Sequence, residues 1–321
     1  MFLRCAVAAC FALISCGVAA QQQYPTRPIR MFIPFTPGSA ADIIARAMEP
    51  ALREKLGQPI VIDNRGGAGG NIAAELTAKA PADGYSLLMS TLSIQSINIS
   101  LYSKLNYHPQ RDMTPVTLVG DSPNAMVINP VVPVKNVKEF IALARAKPGM
   151  LNYGSSGAGT TVHLSGVLFS VMTGAKMIHV PFKGAAESLT ALISGQTDLQ
   201  FASISSAIPL IKSGRLRALG VTSAKRSPSM PELPTIAEQG LPGYEAVSWF
   251  GIVGPANLPA NVIATLNKAT LASLEQKDVR DRLFSSGVEV RTMGPEEFAK
   301  YCASEMQKWA KVVQAAGARA D

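Results

Sequence analysis

What this sequence has little of narrows the field first. It has four cysteines, and Cys5, Cys10 and Cys16 all fall near the N-terminus, which leaves Cys302 alone in the rest of the chain. One such cysteine forms no internal disulfide, so the fold must rest on a packed core. Cys302 lies in an apolar helical pattern and reads as a half-buried helix residue rather than a reactive thiol. Charged residues make up 16% of the chain against 47% apolar, a balance that excludes disorder. There is no Lys/Arg cluster and no basic–aromatic stripe, so nucleic acid is excluded as a partner although the formal charge is +8. A diffuse positive balance suits small anions. The three histidines, His108, His163 and His179, have no partners at metal-ligand spacing. No metal site and no cofactor are expected. Enzyme signatures fail in detail. Gly154-Ser155-Ser156-Gly157 is followed by Ala158, where a nucleophile elbow requires Gly. Gly67-Ala68-Gly69-Gly70-Asn71-Ile72 misses the last Gly of a dinucleotide fingerprint, and no Walker A sequence exists.

One apolar run stands out, at the start. Arg4 precedes Cys5–Ile14, too short to span a bilayer, and Val18-Ala19-Ala20 before Gln21 has the form of a signal-peptidase site. Residues 1–20 are therefore expected to be a signal peptide, with export to the periplasm and a mature chain from about Gln21. Arg4 is the only charged residue of that leader, so its loss takes the net charge from +8 to +7. Leu13-Ile14-Ser15-Cys16 offers the alternative of a lipidated Cys16. No later segment is long and apolar enough to cross a membrane.

From Ile29 onward, strand-like and helix-like segments alternate. Ile29–Phe35, Ile60–Asn64, Tyr85–Thr91, Pro115–Val119, Ala125–Asn129, Leu151–Gly154, Met177–Pro181, Asp198–Ala202, Leu216–Thr222 and Val247–Val253 read as strands. Ala40–Leu56, Asn71–Ala80, Val137–Ala146, Thr161–Thr173, Ala185–Ser194 and Ala207–Ser213 read as helices. A Pro-rich stretch, Ser227–Pro242, interrupts the rhythm, and helices fill most of the C-terminal part. Such alternation implies α/β architecture with parallel sheets and ligand loops at the carboxyl edges. The pattern offers two sheets and two lobes, residues 24–124 with 245–321 and residues 125–244, with a cleft between them. No internal sequence repeat is visible.

Four small-residue loops each follow a strand and open a helix: Phe35–Ala41, Arg65–Asn71, Tyr153–Thr161 and Pro181–Ala186. A helix N-terminus presents free N–H groups to an anion, and Gly and Ser/Thr let backbone and hydroxyls approach it. The first loop holds no Lys, His, Cys or carboxylate able to do chemistry, so it reads as built to hold an acid. Turning the chain is the plainer use of any one such loop. Asp42 reads as a helix-dipole and capping residue, with bracing of the loop from beneath as the alternative. Asp198 either reaches the cleft or caps a turn. His163 either points from its first helical turn to an anion or is a core histidine.

At this point the chain resembles the extracytoplasmic solute-binding receptors of tripartite tricarboxylate transporters, the Bug (TctC-like) family. The resemblance runs over nearly the whole mature chain. It rests on Tyr24-Pro25-Thr26-Arg27-Pro28-Ile29, Pro34-Phe35-x-Pro37-Gly38-x-x-x-Asp42-x-x-Ala45-Arg46 and Gly57-Gln58-Pro59. It continues in Asn64-Arg65-x-Gly67-Ala68-Gly69-Gly70-Asn71, Asp83-Gly84-Tyr85, Tyr153-Gly154-Ser155-Ser156-Gly157, His163-Leu164 and Val180-Pro181-Phe182-Lys183-Gly184. Leu233-Pro234-Thr235-Ile236-Ala237-Glu238 and Ser248-Trp249-Phe250-Gly251 complete it. The resemblance implies a type II-like periplasmic-binding-protein fold, each lobe a mixed sheet flanked by helices. It implies a monomer, not an enzyme, that closes on a small organic carboxylate and delivers it to membrane permease subunits. The ligand-binding role it implies falls on Phe35, Thr36, Pro37, Gly38, Ser39 and Ala40, with Ser90, in the first lobe. In the second it falls on Ser155, Ser156, Gly157, Thr160, Thr161 and His163, with Phe182, Lys183 and Gly184 as a wall and Asp198 and Ala202 beyond.

Three departures from the family pattern bear on the solute. Its first loop usually has Gly-Gly where this chain has Gly38-Ser39, which adds a hydroxyl. Its Arg-Pro-Gly is Arg65-Gly66-Gly67 here. The strand after Asp198 often ends Phe-Asp and here ends Phe201-Ala202, which argues against an amino group on the ligand. A di- or tricarboxylate, or an aromatic acid such as a phthalate-type diacid, is the expectation. The alternatives are an exported hydrolase using a Ser of residues 154–161 and a solute-sensing partner of a sensor kinase.

Overall fold

The computed structural model describes residues 24–157, 159–182 and 184–320. The expected signal peptide, Cys16 and Lys183 lie outside the described residues. In chain order the elements are β1 (Ile29–Ile33), α1 (Ala40–Leu56), β2 (Ile60–Asn64), α2 (Asn71–Ala78), β3 (Ser86–Thr91), α3 (Asn98–Leu101) and α4 (Pro109–Asp112). Then come β4 (Met113–Ser122), β5 (Asn124–Ile128), α5 (Val137–Ala146), β6 (Asn152–Ser155), α6 (Thr161–Thr173), β7 (Ile178–Pro181), α7 (Ala185–Ile193) and β8 (Leu199–Ser203). The rest is α8 (Ile204–Lys212), β9 (Arg217–Val221), β10 (Ser248–Pro255), α9 (Ala260–Glu275), α10 (Lys277–Ser285), β11 (Glu289–Met293) and α11 (Pro295–Ala316).

The helices follow their patterns. In α1 the apolar positions Ala41, Ile44, Ala45, Met48 and Leu52 recur at helical spacing and are all buried. The helix stops where Gly57 takes a left-handed φ of 67° and returns its N–H to the Arg53 carbonyl.

Two sheets form, in the orders β11-β4-β10-β3-β1-β2 and β7-β6-β8-β5-β9. Both are mixed, as the family resemblance implies, and not all-parallel as the strand–helix alternation alone suggests. β1 pairs in parallel with β2 and β3, and β6 with β7 and β8. β10 is antiparallel to β3 and β4, and β5 is antiparallel to β8 and β9. The cause is the crossing of the chain. It passes from β4 straight into β5, and returns through residues 245–247 into β10. A strand that leaves the crossing runs away from the cleft, against the strands whose carboxyl ends build it. The two passages lie side by side, with Ser248 opposite Ser122 and Trp249 opposite Asp121. Arg291 ties them: Nη1 lies 2.9 Å from the Asp121 carboxylate and 3.8 Å from that of Glu245.

Arg291 belongs to β11, a strand absent from the sequence reading because Glu-Val-Arg-Thr-Met is short and mostly polar; pairing with β4 creates it. The C-terminal helix α11 packs against both β4 and α6, so one apolar core runs from Phe32 and Leu88 through Trp309 to Phe169 and Phe201. Cys302 is buried on this helix, and burial pushes its thiol up to about 12. No helix among the described residues is long and apolar enough to cross a membrane.

Candidate functional site

Each sheet ends in the same turn. β1 passes through residues 34–39 into α1. Ser39 caps that helix, its hydroxyl accepting from the Asp42 N–H at 3.4 Å. Gly38 takes φ +83°, and its N–H donates to the Asp42 carboxylate at 2.9 Å. In the other sheet β6 leads to α6, which Thr160 caps by accepting from the His163 N–H at 3.3 Å. Gly159 takes φ +77°, and its N–H donates to His163 Nδ1 at 3.0 Å. Thus Gly38-Ser39-Ala40-Ala41-Asp42 and Gly159-Thr160-Thr161-Val162-His163 are two versions of one device. Each has a left-handed glycine, a hydroxyl cap, and a third helical residue whose side chain reaches back to the glycine amide. The arrangement is a capping box displaced by one residue. Among the described residues, the N–H groups of Ala40, Ala41, Thr161 and Val162 have no hydrogen-bond partner, as the first turn of a helix dictates.

A layer of side chains fixes each turn from behind. Asp42 is 3% exposed, and its carboxylate also accepts from Arg46 Nε and Asn64 Nδ2, each at 3.0 Å. Asn64 Nδ2 further donates to the Phe35 carbonyl at 3.0 Å. Burial works to raise the Asp42 pKa, but the hydrogen bonds from Arg46, Gly38 and Asn64 outweigh it and hold the carboxyl below its ordinary range. Asp42 therefore caps the turn, as expected, through the Gly38 N–H, and also braces the loop from beneath through Arg46 and Asn64. His163 is 6% exposed and lies in a cluster of three rings, 3.8 Å from His179 and 6.3 Å from Tyr153 between centroids. Burial, then the neighbouring His179, pushes its pKa down to about 4, so the ring is neutral and Nδ1 is free to accept. His179 is likewise lowered by burial, and its Nε2 lies 2.6 Å from Ser155 Oγ.

The two turns face a cleft of about 380 Å³. Phe35, Ala40 and Ala41 line one side and Ser156, Gly159, Thr160 and Thr161 the other. Thr91, Leu92, Trp249 and Phe250 line it where β3 ends and β10 begins, and Leu101 and Tyr102 add apolar wall. Among its described lining residues there is no Lys, Arg, His, Asp or Glu. Ser248 Oγ lies 2.9 Å from Thr161 Oγ1, a hydrogen bond between the returning strand and the second turn. A larger groove, of about 770 Å³, is lined by residues of α5 and residues 238–241, away from both turns.

Of the residues expected at the site, Phe35, Ala40, Ser156, Thr160 and Thr161 line the cleft. Thr36, Pro37, Gly38 and Ser39 shape the turn that presents Ala40. Ser39 spends its hydroxyl as the cap, and its φ of −68° makes no demand for glycine, so the family's second Gly is dispensable here. Gly157, at φ +130°, donates its N–H to Ser155 Oγ, and its carbonyl accepts from Thr160 Oγ1.

Five residues expected at the site do not line the cleft. Ser155 is fully buried and its hydroxyl is held by Gly157 and His179, one layer behind the cleft. His163 is in the same layer. Ser90 lies below the floor, accepting from Gln95 Nε2 at 3.0 Å. Asp198 sits at the opposite end of its sheet, where its carboxylate accepts from Asn152 N–H at 2.8 Å and fixes the start of β6; of its two readings, the turn holds. Ala202 is 1% exposed and packs under α7 and α8. Phe182 and Gly184 are half-buried; Phe182 N–H donates to the Ser155 carbonyl at 3.0 Å, and Gly184 caps α7.

Sequence reasoning missed Thr91, Leu92, Trp249 and Phe250. The available signal was topological: a strand that returns to a sheet passes the carboxyl edge where ligands bind.

The fold has counterparts among known proteins. The Bordetella pertussis protein BugT is 35% identical over 311 residues, covering 96% of this chain and 95% of BugT. The solved structure of R. palustris Rpa4515 with adipate is 39% identical, covers 92% of this chain and 98% of that one, and superposes with a TM-score of 0.76. MatC from Rhodopseudomonas palustris with bound malate is 33% identical, with 90% and 100% covered and a TM-score of 0.73. The family described as tripartite tricarboxylate transporter family receptor (TctC) matches residues 44–318. That span includes most of both sheets and the whole second turn, so this is a solute-binding protein and not an enzyme: the chain belongs to the TctC receptor family of tripartite tricarboxylate transporters.

Proposed function

We propose that this chain binds a small organic carboxylate between its two lobes, in the periplasm, and hands it to the permease subunits of a tripartite transporter. One observation carries the reading: two capped helix N-termini, each with open N–H groups, meet at a cleft with no charged side chain among its described lining residues. Helix ends hold an anion through dipoles and N–H groups. A grip without a lysine or arginine holds the solute and still releases it unchanged. Relatives with adipate and malate make dicarboxylates the first candidates, and the walls of Phe35, Tyr102 and Phe250 extend the set to aromatic diacids. A cleft of this size suits such molecules.

In this reading the lobes are residues 24–124 with 245–321 and residues 125–244. The mature protein is a Sec-exported monomer starting near Gln21, with a lipidated Cys16 as the variant form. Ser155 and His179 form the pair a hydrolase would need, but Ser155 is entirely buried, which favours the receptor.

A thermal-shift screen of mono-, di- and tricarboxylates and benzoates tests the proposal. A ligand at one hundred times its Kd stabilises the folded state by about 2.7 kcal/mol, a rise of several degrees. A screen in which no carboxylate moves the melting temperature sinks it.

A further inference from the structure

We infer that the end of the second sheet farthest from the cleft is a membrane-contacting surface, which rests on anionic phospholipid headgroups. The inference does not depend on which solute the cleft holds.

Charge is divided unequally along the chain. Residues 125–244 hold eleven Lys and Arg against five Asp and Glu, a formal +6. Residues 24–124 with 245–321 hold eighteen against seventeen, only +1. A molecule charged in this way turns its second lobe toward an anionic surface.

Topology gathers part of that charge at one end. β6, β7 and β8 run in parallel with their carboxyl ends toward the cleft, so their first residues stand at the opposite end, where the antiparallel β5 finishes. Backbone hydrogen bonds tie the segments together there: Gly149 N–H donates to the Lys176 carbonyl at 2.8 Å, and Asn129 N–H to the Asp198 carbonyl at 3.2 Å. Lys147 and Lys176 precede β6 and β7, and Lys135 follows β5. All three are exposed and, among the described residues, in no ion pair. The acids of this end are Glu139, whose carboxylate accepts from the Lys135 N–H, Asp198, held by the Asn152 N–H, and Glu232, which shares a groove with Pro130.

The same end carries exposed apolar side chains. Val131 is 79% exposed, Met150 72% and Ile178 53%, and the first two are the most exposed large apolar residues among those described. With the strands in the order β7-β6-β8-β5, the three lie within three strand spacings, about 14 Å. These residue types favour lipid over protein. Protein interfaces are enriched in aromatic residues and Arg and depleted of Lys. Here three aliphatic or thioether side chains share one end with three lysines. Ammonium groups on long stems stay with lipid phosphates while the apolar side chains enter the boundary of the acyl region. Each Lys near an anionic surface adds to the attraction, and salt weakens it.

Co-sedimentation of the mature chain from Gln21 with vesicles tests this. Vesicles of phosphatidylcholine alone are compared with vesicles that also contain phosphatidylglycerol, for the wild type, K147E/K176E, M150S/I178S and K268E/K300E. Lys268 and Lys300 are exposed on the first lobe, so the last variant makes the same change of net charge elsewhere. All six positions are exposed, and melting temperatures near that of the wild type confirm that each variant is folded. The wild type is expected to bind the anionic vesicles at least about tenfold more tightly than the neutral ones, and less tightly as salt rises. K147E/K176E should weaken that binding at least about tenfold and M150S/I178S about fivefold, with K268E/K300E within about twofold of wild type. Equal losses in K147E/K176E and K268E/K300E reduce the effect to net charge and overturn the inference, as does full binding by M150S/I178S. A wild type that does not distinguish the two vesicles also overturns it, and leaves an acidic protein face as the partner of this end. None of these results touches the carboxylate reading, which the thermal-shift screen decides.

Discussion

The turn before α1 and the turn before α6 do the same work with different chemistry. Both place a left-handed glycine, a hydroxyl cap and two open amides at the cleft. Behind the first stands an anion, Asp42, held by Arg46 and Asn64. Behind the second stands a neutral ring, His163, packed on His179 and Tyr153. Geometry at a helix end thus requires only an acceptor four residues after the glycine, whether carboxylate or imidazole. The two acceptors differ in what removes them. A carboxylate held below its usual range survives mild acid, whereas an imidazole is lost as soon as Nδ1 takes a proton.

The largest effect should come from acid. The folded pKa of His163 is depressed, so the unfolded chain binds more protons and stability falls with falling pH. The window runs from the ordinary 6.5 down to about 4. At about 1.4 kcal/mol for each tenfold change in proton affinity, the loss is on the order of 3 kcal/mol. His179, shifted the same way, adds to it. Asp42 works in a lower window: its stabilisation is present above the ordinary carboxylate pKa and is lost only as the pH falls through its depressed folded value. Denaturant titrations at a series of pH values should show the upper loss shrinking in H163Q. An identical pH profile in that variant would refute the assignment.

Asp42→Ala comes next. It leaves the Gly38 N–H and Asn64 without their acceptor and breaks the contact with Arg46, whose side chain is 54% exposed and adds little in solvent. A loss of about 2 kcal/mol in urea unfolding is expected, with Asp42→Asn recovering part of it. A loss no greater than that of an ordinary surface substitution would reduce Asp42 to a bystander.

The caps should be equal. Ser39→Ala and Thr160→Ala each remove one side-chain acceptor and should each cost about 1 kcal/mol. A difference between them above about 1 kcal/mol would break the equivalence of the two turns. The smallest effect belongs to Ser39→Gly, which restores the family's Gly-Gly. Gly is nearly as good a cap as Ser, so stability should change by a few tenths of a kcal/mol. Because the Ser39 hydroxyl serves the helix, carboxylate affinity should stay within about twofold; a tenfold change would make Ser39 a ligand contact after all.

Much of this architecture was legible from residue patterns. Ala40–Leu56, Ile60–Asn64, Val137–Ala146 and Thr161–Thr173 carry strong caps or dense apolar periodicity, and their expected bounds match the structure. The helix at Ile204 begins three residues before its expected start, because Ser203 gives no side-chain cap bond to mark it. The short helices Asn98–Leu101 and Pro109–Asp112 have too few residues to show a period. The two turns share only their glycine at matching positions, so no repeat is visible along the chain. Their likeness is one of hydrogen bonding, which letters do not record.

Local chemistry settled the parts that act over four or five residues: the strand–loop–helix units, the caps, and the absence of a reactive group in the first turn. Tertiary structure decided everything that depends on distant segments meeting. It drew Ser155 and His163 back into a supporting layer, because His179 arrives from the neighbouring strand to pack on them. It set Asp198 at the far end of its sheet, because the direction of β8 points that residue away from the cleft. It brought Thr91 and Phe250 side by side at the cleft, because β10 returns across more than a hundred residues to pair with β3. Short-range capping is fixed by neighbours in the chain. The floor of the cleft is fixed by strand pairing, and pairing is a property of the folded whole.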